Sequence, residues 1–214
     1  MQNLKKSVFL VLALLITLAN GSVQANSTKS QILVLGDSLS AGYGLNTNDT
    51  WVNILNTKWL NEAVPFQLIN ASISGETTDA GLARLPQLLK QHSPKYVLIE
   101  LGANDGLRGF SLKLIKQNLT KLINTVKNTG SQPILFAMKV PPNYGKRYSD
   151  RFNQLFYTLG AEFKIPVVPF FIEPVVLNKD LMLADQLHPN AQAQPIIANG
   201  LHSQLMPLLN HKSE

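Results

Sequence analysis

The chain has 214 residues, of which 45% are hydrophobic and 15% charged, so its composition indicates one folded domain with a sizeable core and excludes a largely disordered chain. It contains no cysteine, which excludes disulfide bonds and a lipid-modified amino-terminal cysteine. The formal net charge is +6, but the basic residues form no cluster interleaved with aromatic residues, so no nucleic-acid partner is predicted.

The amino terminus has the pattern of an export signal. Lys5 and Lys6 precede an apolar run over residues 8–19, and small residues ending in Ala25 follow it. The run is shorter than the about twenty apolar residues that a membrane span needs, although an uncleaved anchor is the alternative. We predict cleavage after Ala25, no stable membrane span after processing, and a periplasmic or secreted mature protein in which residues 26–214 form one domain.

Short apolar segments alternate with amphipathic segments along the rest of the chain. Residues 32–35 form an uninterrupted apolar run, which is typical of a strand buried on both faces of a parallel sheet. The predicted strands are residues 32–35, 66–71, 96–101, 133–140 and 165–171. The predicted helices run from about Trp51 to Trp59 and over residues 78–92, 111–128, 149–163 and 190–209. This alternation predicts right-handed βαβ units and an α/β sandwich of three layers.

Polar or small residues follow the first three predicted strands. Ser38 follows the first strand, Gly75 the second and Asn104 the third. If these strands are neighbours at the centre of the sheet, their carboxyl ends meet in one crevice, where open α/β sheets place their ligand sites. Ser38 is therefore a candidate nucleophile. We interpret Asp37 as a turn-forming residue whose carboxylate accepts backbone N–H groups.

The remaining groups that acyl transfer needs are also present. Such a reaction requires a hydroxyl nucleophile, a base, a carboxylate that orients the base, and donors for the developing oxyanion. The spacing of Asp185 and His188 allows Asp185 to accept from Nδ1 while Nε2 faces Ser38. The predicted oxyanion donors are the backbone N–H groups of Ser38 and Gly75 and the side-chain amide of Asn104.

Other chemistries lack their motifs. The four histidines are not closely paired and there is no cysteine, so no metal site is predicted, and no cofactor is expected. The chain lacks the G-x-S-x-G motif of α/β-hydrolases and the G-x-x-x-x-G-K-[ST] phosphate loop. The segment 42–44 has two glycines but not the third that a dinucleotide loop requires.

Residues 106–110 follow Asn104 and contain two glycines, Gly106 and Gly109. This segment could close over the crevice as a mobile lid. Together with residues from the fourth predicted strand onward, it could form an apolar groove for an acyl chain. The candidate substrate-binding residues are Leu107, Arg108, Phe110, Met138, Pro141 and Tyr144. The alternative is that these residues only pack over the sheet edge.

Four motif blocks, taken together, resemble those of the GDSL/SGNH hydrolases, and the likeness extends over nearly the whole mature chain. The blocks are Gly36-Asp37-Ser38-Leu39, Gly75, Gly102-x-Asn104-Asp105 and Asp185-x-x-His188-Pro189. The resemblance implies a flavodoxin-like fold with a five-stranded parallel sheet of order 2-1-3-4-5. It also implies Ser38 as nucleophile, His188 as base, Asp185 as its orienter, and an oxyanion hole made by Ser38, Gly75 and Asn104.

The resemblance further implies an exported serine esterase that acts through an acyl-enzyme on small acyl esters and thioesters. The implied substrates are acyl-CoA thioesters, lysophospholipids and aryl esters, and nothing in the sequence demands more than a monomer. Two alternatives stay open: a carbohydrate O-deacetylase of the same family, and a non-catalytic module that binds a small molecule in the same crevice.

Overall fold

The computed structural model describes residues 29–209. The predicted export signal and its cleavage after Ala25 lie outside these residues and stay predictions. The described chain contains one sheet of five parallel strands in the order β2-β1-β3-β4-β5. The strands are β1 (Ser30–Gly36), β2 (Phe66–Asn70), β3 (Tyr96–Glu100), β4 (Gln132–Phe136) and β5 (Val167–Val168). This order confirms the predicted sheet.

Seven α-helices of the described chain surround the sheet. They are α1 (Ser38–Ala41), α2 (Trp51–Asn61), α3 (Thr78–His92), α4 (Ala103–Leu107), α5 (Leu112–Asn128), α6 (Lys146–Phe163) and α7 (Gln194–Leu209). Single 3₁₀ turns lie at Thr47–Asp49, Pro142–Tyr144 and Lys179–Leu181. Within residues 29–209, none of the helices is long and apolar enough to cross a bilayer.

The helices form two layers, one on each face of the sheet. The chain moves from β1 to one side to form β2 and then crosses back to β3 and beyond. Because right-handed crossovers reverse face when the direction reverses, α2 lies on one face and α3, α5 and α6 lie on the other. α7 packs against α2, while α5 contacts both α3 and α6. The predicted three-layer, flavodoxin-like α/β sandwich is confirmed.

The central strands are buried on both faces, as their apolar runs predict. Residues 32–35 in β1 and 96–99 in β3 are almost completely inaccessible to solvent. The amphipathic helix α5 begins after Ser111, whose hydroxyl accepts the N–H of Leu114, and turns its apolar stripe toward the core. These elements fix the edge of the sheet from which the polar turns emerge.

The last two strands along the chain, β4 and β5, are shorter than predicted. β4 ends at Phe136 instead of residue 140, and β5 contains two residues instead of seven. Proline flanks β5 on both sides, at Pro166 and Pro169, and the missing N–H groups limit pairing on an edge strand. The last bond between these strands runs from the N–H of Ala137 to the carbonyl of Val168. Beyond it the chain is free to leave the sheet.

Several helix boundaries also differ from the prediction. The last helix begins at Gln194 instead of residue 190, because the side chain of Asn190 accepts the N–H groups of Gln192 and Ala193 and stabilises a separate turn. α6 begins three residues earlier than predicted, at Lys146. The polar turns after β1 and β3 contain the short helices α1 and α4, which the sequence did not indicate.

A pair of helical glycines tests the packing of α6 on the sheet. A methyl group at Gly160 would overlap the stiff, β-branched side chain of Val167, whereas one at Gly200 in α7 would meet open space. We expect Gly160→Ala to lower the free energy of unfolding by about 1–2 kcal/mol, because overpacking costs more than the gain in helix propensity. The control Gly200→Ala should raise it by about 0.5–1 kcal/mol. Urea denaturation measures both; equal effects would contradict this packing.

Candidate active site

The candidate site lies where the strand order reverses. β1 and β3 are neighbours, and the chain leaves them in opposite directions, toward β2 and toward β4. Such a switch point opens a crevice at the carboxyl ends of the two strands. Ser38 begins α1 directly after β1, and Asn104 lies in α4 directly after β3. Both residues line the same pocket, together with His188.

The structure brings Ser38, His188 and Asp185 into one chain of hydrogen bonds. The Oγ atom of Ser38 lies 2.8 Å from Nε2 of His188. Nδ1 of His188 lies 2.7 Å from Oδ2 of Asp185. A neutral imidazole that donates from Nδ1 to the carboxylate leaves Nε2 as an acceptor for the serine hydroxyl. The arrangement has the geometry that a nucleophile and its general base require.

A tight local turn holds Asp185 and His188. Oδ1 of Asp185 accepts the backbone N–H groups of Leu187 at 2.9 Å and His188 at 3.0 Å. The carbonyl of His188 accepts the N–H of Leu183 at 2.7 Å, and Gln186 has a positive φ of 56°. Partial burial opposes ionisation of Asp185, but the hydrogen bonds from the His188 ring and from the two backbone N–H groups hold its pKa below the usual value. The carboxylate therefore stays ionised beside the base.

Two of the three predicted oxyanion donors are free within residues 29–209. The backbone N–H groups of Ser38 and Gly75 have no hydrogen-bond acceptor in this part of the chain. Gly75 has φ +80°, a backbone conformation that favours glycine. Asn104 is different, because its amide nitrogen donates to Oδ2 of Asp37 and to the carbonyl of Glu76, each at 3.1 Å. Both distances lie toward the long end of the usual range for N–H donors.

A buried carboxylate lies beneath the turn that carries Ser38. Oε2 of Glu100 accepts the backbone N–H of Asp37 at 3.1 Å and the hydroxyl of Ser40 at 2.7 Å. Gly36 is the strand partner of Glu100, and a Cβ atom there would overlap the carboxylate. The glycine is therefore needed for space. Asp37 also accepts the N–H of Leu39 at 3.0 Å, in agreement with its interpretation as a turn-forming residue.

The two carboxyl groups under the site, Asp37 and Glu100, are almost completely buried. Burial raises the pKa of Asp37 to about 6, although the N–H of Leu39 opposes the shift. Burial, followed by repulsion from Asp37, raises the pKa of Glu100 well above its usual value. Asp37 and Glu100 therefore form a buried pair beneath the site that binds protons at higher pH than ordinary carboxyl groups do.

Asp105 ties the turn after β3 to the helix that follows Gly75. Its carboxylate accepts the backbone N–H of Thr78 at 2.9 Å and the hydroxyl of the same residue at 2.5 Å. Asn118 of α5 donates to that hydroxyl at 3.0 Å. Asp105 thus binds the first residue of α3, and it fixes the segment that carries Gly75 relative to Asn104.

An apolar pocket of about 500 Å³ opens beside Ser38. Three of the six candidate substrate-binding residues line it: Leu107, Met138 and Pro141. The other three do not. Arg108 donates to the carbonyl of Gly75 at 3.0 Å, the hydroxyl of Tyr144 donates to the carbonyl of Leu107 at 2.9 Å, and Phe110 packs against the core. These contacts hold residues 106–110 to neighbouring segments.

The sequence did not indicate a second wall of the pocket. This wall consists of residues from the irregular segment 170–177 and from the segment 186–188. Leu177 in the first segment is 90% exposed and Leu187 in the second is 45% exposed. Their apolar character was readable, but the irregular backbone that brings them to the pocket gives no periodic signal. Lys139 and Glu173, which form an ion pair, line the same pocket.

The fold and the arrangement around Ser38 define a hydrolase-type α/β protein, and the comparisons with known proteins identify its family. Residues 34–195 match the model of the GDSL-like lipase/acylhydrolase family. The match covers more than half of the chain, so this protein belongs to that family. It is an enzyme of the esterase class, as its relatives of this family are.

The chain is similar to several characterised relatives. It is 47% identical to thioesterase 1/protease 1/lysophospholipase L1 of Escherichia coli, over 85% of this chain and 86% of the relative. It is also 47% identical to an arylesterase of Vibrio mimicus, over 85% of this chain and 91% of the relative. The crystal structure of the psychrotrophic esterase EstA from a Pseudoalteromonas species superposes with a TM-score of 0.84 at 43% identity, covering 86% and 100% of the two chains.

The buried acid pair predicts a specific pH dependence of stability. Folding raises both pKa values, so the folded state keeps protons that the unfolded state releases. The stability that these two groups contribute is therefore fully present below their pKa values in the unfolded chain. It is lost as pH rises through their pKa values in the folded protein, from about pH 4 to about pH 6 for Asp37 and at higher pH for Glu100. Glu100→Gln keeps an acceptor for Asp37 and Ser40 but cannot ionise. We expect it to raise the melting temperature relative to wild type by at least about 2 °C more at about pH 8 than at about pH 5.

Thermal denaturation at the two pH values measures this difference. Glu162→Gln is the matched control, because Glu162 is an exposed partner of Lys116 on the surface. Its effect should be small and the same at both pH values. The account of the acid pair fails if the melting temperature of Glu100→Gln differs from that of wild type by an equal amount at both.

Proposed function

We propose that this protein is a serine esterase that hydrolyses acyl esters and thioesters in two steps through an acyl-enzyme. The observation that carries the proposal is the hydrogen-bonded series Ser38, His188 and Asp185, with separations of 2.8 and 2.7 Å, at the mouth of an apolar pocket. A pocket that only bound its ligand would need neither a nucleophile nor a base, which argues against the non-catalytic alternative.

In the first step, Oγ of Ser38 attacks the carbonyl carbon of the substrate and its proton passes to Nε2 of His188. The imidazolium that forms is stabilised by the carboxylate of Asp185. The tetrahedral intermediate then collapses, and the bond from the carbonyl carbon to the leaving oxygen or sulfur breaks. His188 returns the proton to the leaving alcohol or thiol, and the acyl group stays on Ser38 as an ester.

The second step repeats the chemistry with water. His188 takes a proton from a water molecule, which attacks the acyl-enzyme, and the serine oxygen leaves with that proton. The free acid and the original hydroxyl are the products. The two steps need no cofactor and no metal, because the protein's own groups carry out each proton transfer.

The developing oxyanion is bound by the N–H groups of Ser38 and Gly75 and by the amide of Asn104. The first two groups have no acceptor within residues 29–209 and are available to the substrate. Asn104 supplies the third donor by exchanging its bond to the neutral carbonyl of Glu76 for a stronger bond to a charged oxygen. Its second N–H stays on Asp37, which keeps the amide oriented.

The composition of the pocket supports substrates that carry an acyl chain. Its walls are formed largely by apolar side chains from residues 138–141 and 170–177. An apolar wall favours an alkyl chain and offers few partners to sugar hydroxyls, which argues against an O-deacetylase. The names of the relatives, a thioesterase and lysophospholipase and an arylesterase, support thioesters, lysophospholipids and aryl esters as substrates.

We also propose that the mature protein is exported and monomeric. The basic residues, apolar run and small residues of the first 25 positions support export to the periplasm or the medium. Residues 29–209 form a complete sheet with both faces covered, which supports a domain that needs no partner chain for its core.

The acyl pocket predicts the dependence of rate on chain length. For nitrophenyl esters of rising acyl length, kcat/KM of the protein lacking residues 1–25 should rise by up to about fourfold per carbon until the pocket is full, because each buried methylene contributes about 0.8 kcal/mol. Ser38→Ala serves as the blank. Activity that falls beyond acetate would favour the deacetylase, and full activity of Ser38→Ala would overturn the assignment of the nucleophile.

The oxyanion assignment predicts a loss in turnover without a loss in binding. Asn104→Ala removes a donor aimed at the oxyanion and should lower kcat by about 10²- to 10³-fold, with little change in KM. The control is Asn199→Ala, at an exposed position of α7. Steady-state kinetics on one ester measures both variants. If Asn104→Ala changed only KM, Asn104 would bind the substrate and the transition state equally well. That result would contradict its assignment to the oxyanion hole.

A further inference from the structure

The ring of Tyr43 lies against the ring of His188. The two ring centroids are 4.5 Å apart, and the ring planes are tilted by 37°. Tyr43 is 51% exposed, and its hydroxyl has no hydrogen-bond partner within residues 29–209. The side chain is therefore neither part of the hydrophobic core nor held by its polar end. The specific contact that this side chain makes is the one between its ring and the ring of His188.

The backbone places Tyr43 at this position. Gly42 and Gly44 flank it with φ values of +78° and +73°, a conformation that L side chains rarely adopt. The N–H of Tyr43 donates to the carbonyl of Ser38 at 3.1 Å. A methyl group at Gly44 would lie 2.9 Å from a methyl carbon of Leu183, so the tight turn also packs against the loop that carries His188.

We propose that Tyr43 is a positioning residue for His188. The aromatic ring of Tyr43 stabilises the imidazolium of His188 that forms when Ser38 attacks the substrate. This proposal rests on the function proposed above. An aromatic face attracts a cation, and the attraction is absent from the neutral imidazole of the resting site. The contact therefore contributes more to the transition state than to the ground state, which is the condition for a contribution to kcat.

The other groups around His188 act along the plane of its ring or through space. Nδ1 is bonded to the ionised Asp185, and Nε2 faces the hydroxyl of Ser38. The carboxylate of Asp37 also interacts with the charge of His188. Tyr43 contributes a different interaction, because its aromatic ring packs against the imidazole ring, whereas Asp185 is bonded to a ring nitrogen.

The test compares two replacements of Tyr43 that differ in the aromatic face. Tyr43→Phe keeps the face and removes only the unbonded hydroxyl, so kcat should stay within about twofold of wild type. Tyr43→Leu keeps an apolar side chain without the face, and kcat should fall by about 3- to 30-fold with little change in KM. Because the imidazole of Tyr43→Leu protonates less readily, the acid limb of its kcat/KM profile should move to lower pH by about 0.5 unit or more.

The control is Tyr157→Leu, at a similarly exposed tyrosine in α6 that does not line the pocket, and it should behave as wild type. Circular dichroism and melting temperature identify a variant that fails to fold. The proposal is overturned if Tyr43→Leu keeps full activity, if Tyr43→Phe loses as much as Tyr43→Leu, or if kcat of Tyr43→Leu falls without movement of the acid limb. Wild-type turnover that persists in Ser38→Ala would instead overturn the proposed function itself.

Discussion

The hydrogen bonds from Asp37 and Ser40 to the buried carboxylate of Glu100 connect the end of β3 to the turn after β1. Much of the site depends on this connection, because the same turn presents the hydroxyl and the N–H of Ser38 and orients the amide of Asn104 through Asp37. A charged carboxylate in the core is costly, and the raised pKa values of Asp37 and Glu100 favour the protonated forms. The connection also needs glycine at position 36, because a side chain there would overlap the carboxyl group of Glu100. The proposed oxyanion hole is thereby organised before substrate binds.

The candidate site has two parts that are stabilised independently. One part is the sheet edge, where Glu100 and Asp105 bind turns that follow different strands. The other part is the loop before α7, in which Asp185 holds His188 through bonds to its own turn. The contacts that join the two parts include the bond from Ser38 to His188, the ring of Tyr43 and the packing of Gly44 against Leu183. Small displacements of the loop therefore act directly on the distance between nucleophile and base.

The sequence predicted the elements whose signals are local and failed where tertiary packing decides. α3 was predicted with its observed ends, because an amphipathic period runs through it and Pro94 follows its end. β5 was overestimated, since an apolar run does not show which residues pair, and α1 was missed because a helix of four residues has no period. The grouping of Ser38, Asn104 and His188 followed from topology and spacing. The pocket wall at residues 170–177 did not, because its irregular path depends on neighbouring segments.

The most direct test of the account is the site of covalent labelling by a fluorophosphonate, which reacts with an activated serine. Mass spectrometry of the intact protein and of its peptides locates the adduct. The account predicts one adduct, on Ser38, with slow or absent labelling when His188 is replaced by alanine, because the hydroxyl then lacks its base. Labelling at another residue, or undiminished labelling of Ser38 in His188→Ala, would contradict the claim that His188 activates Ser38.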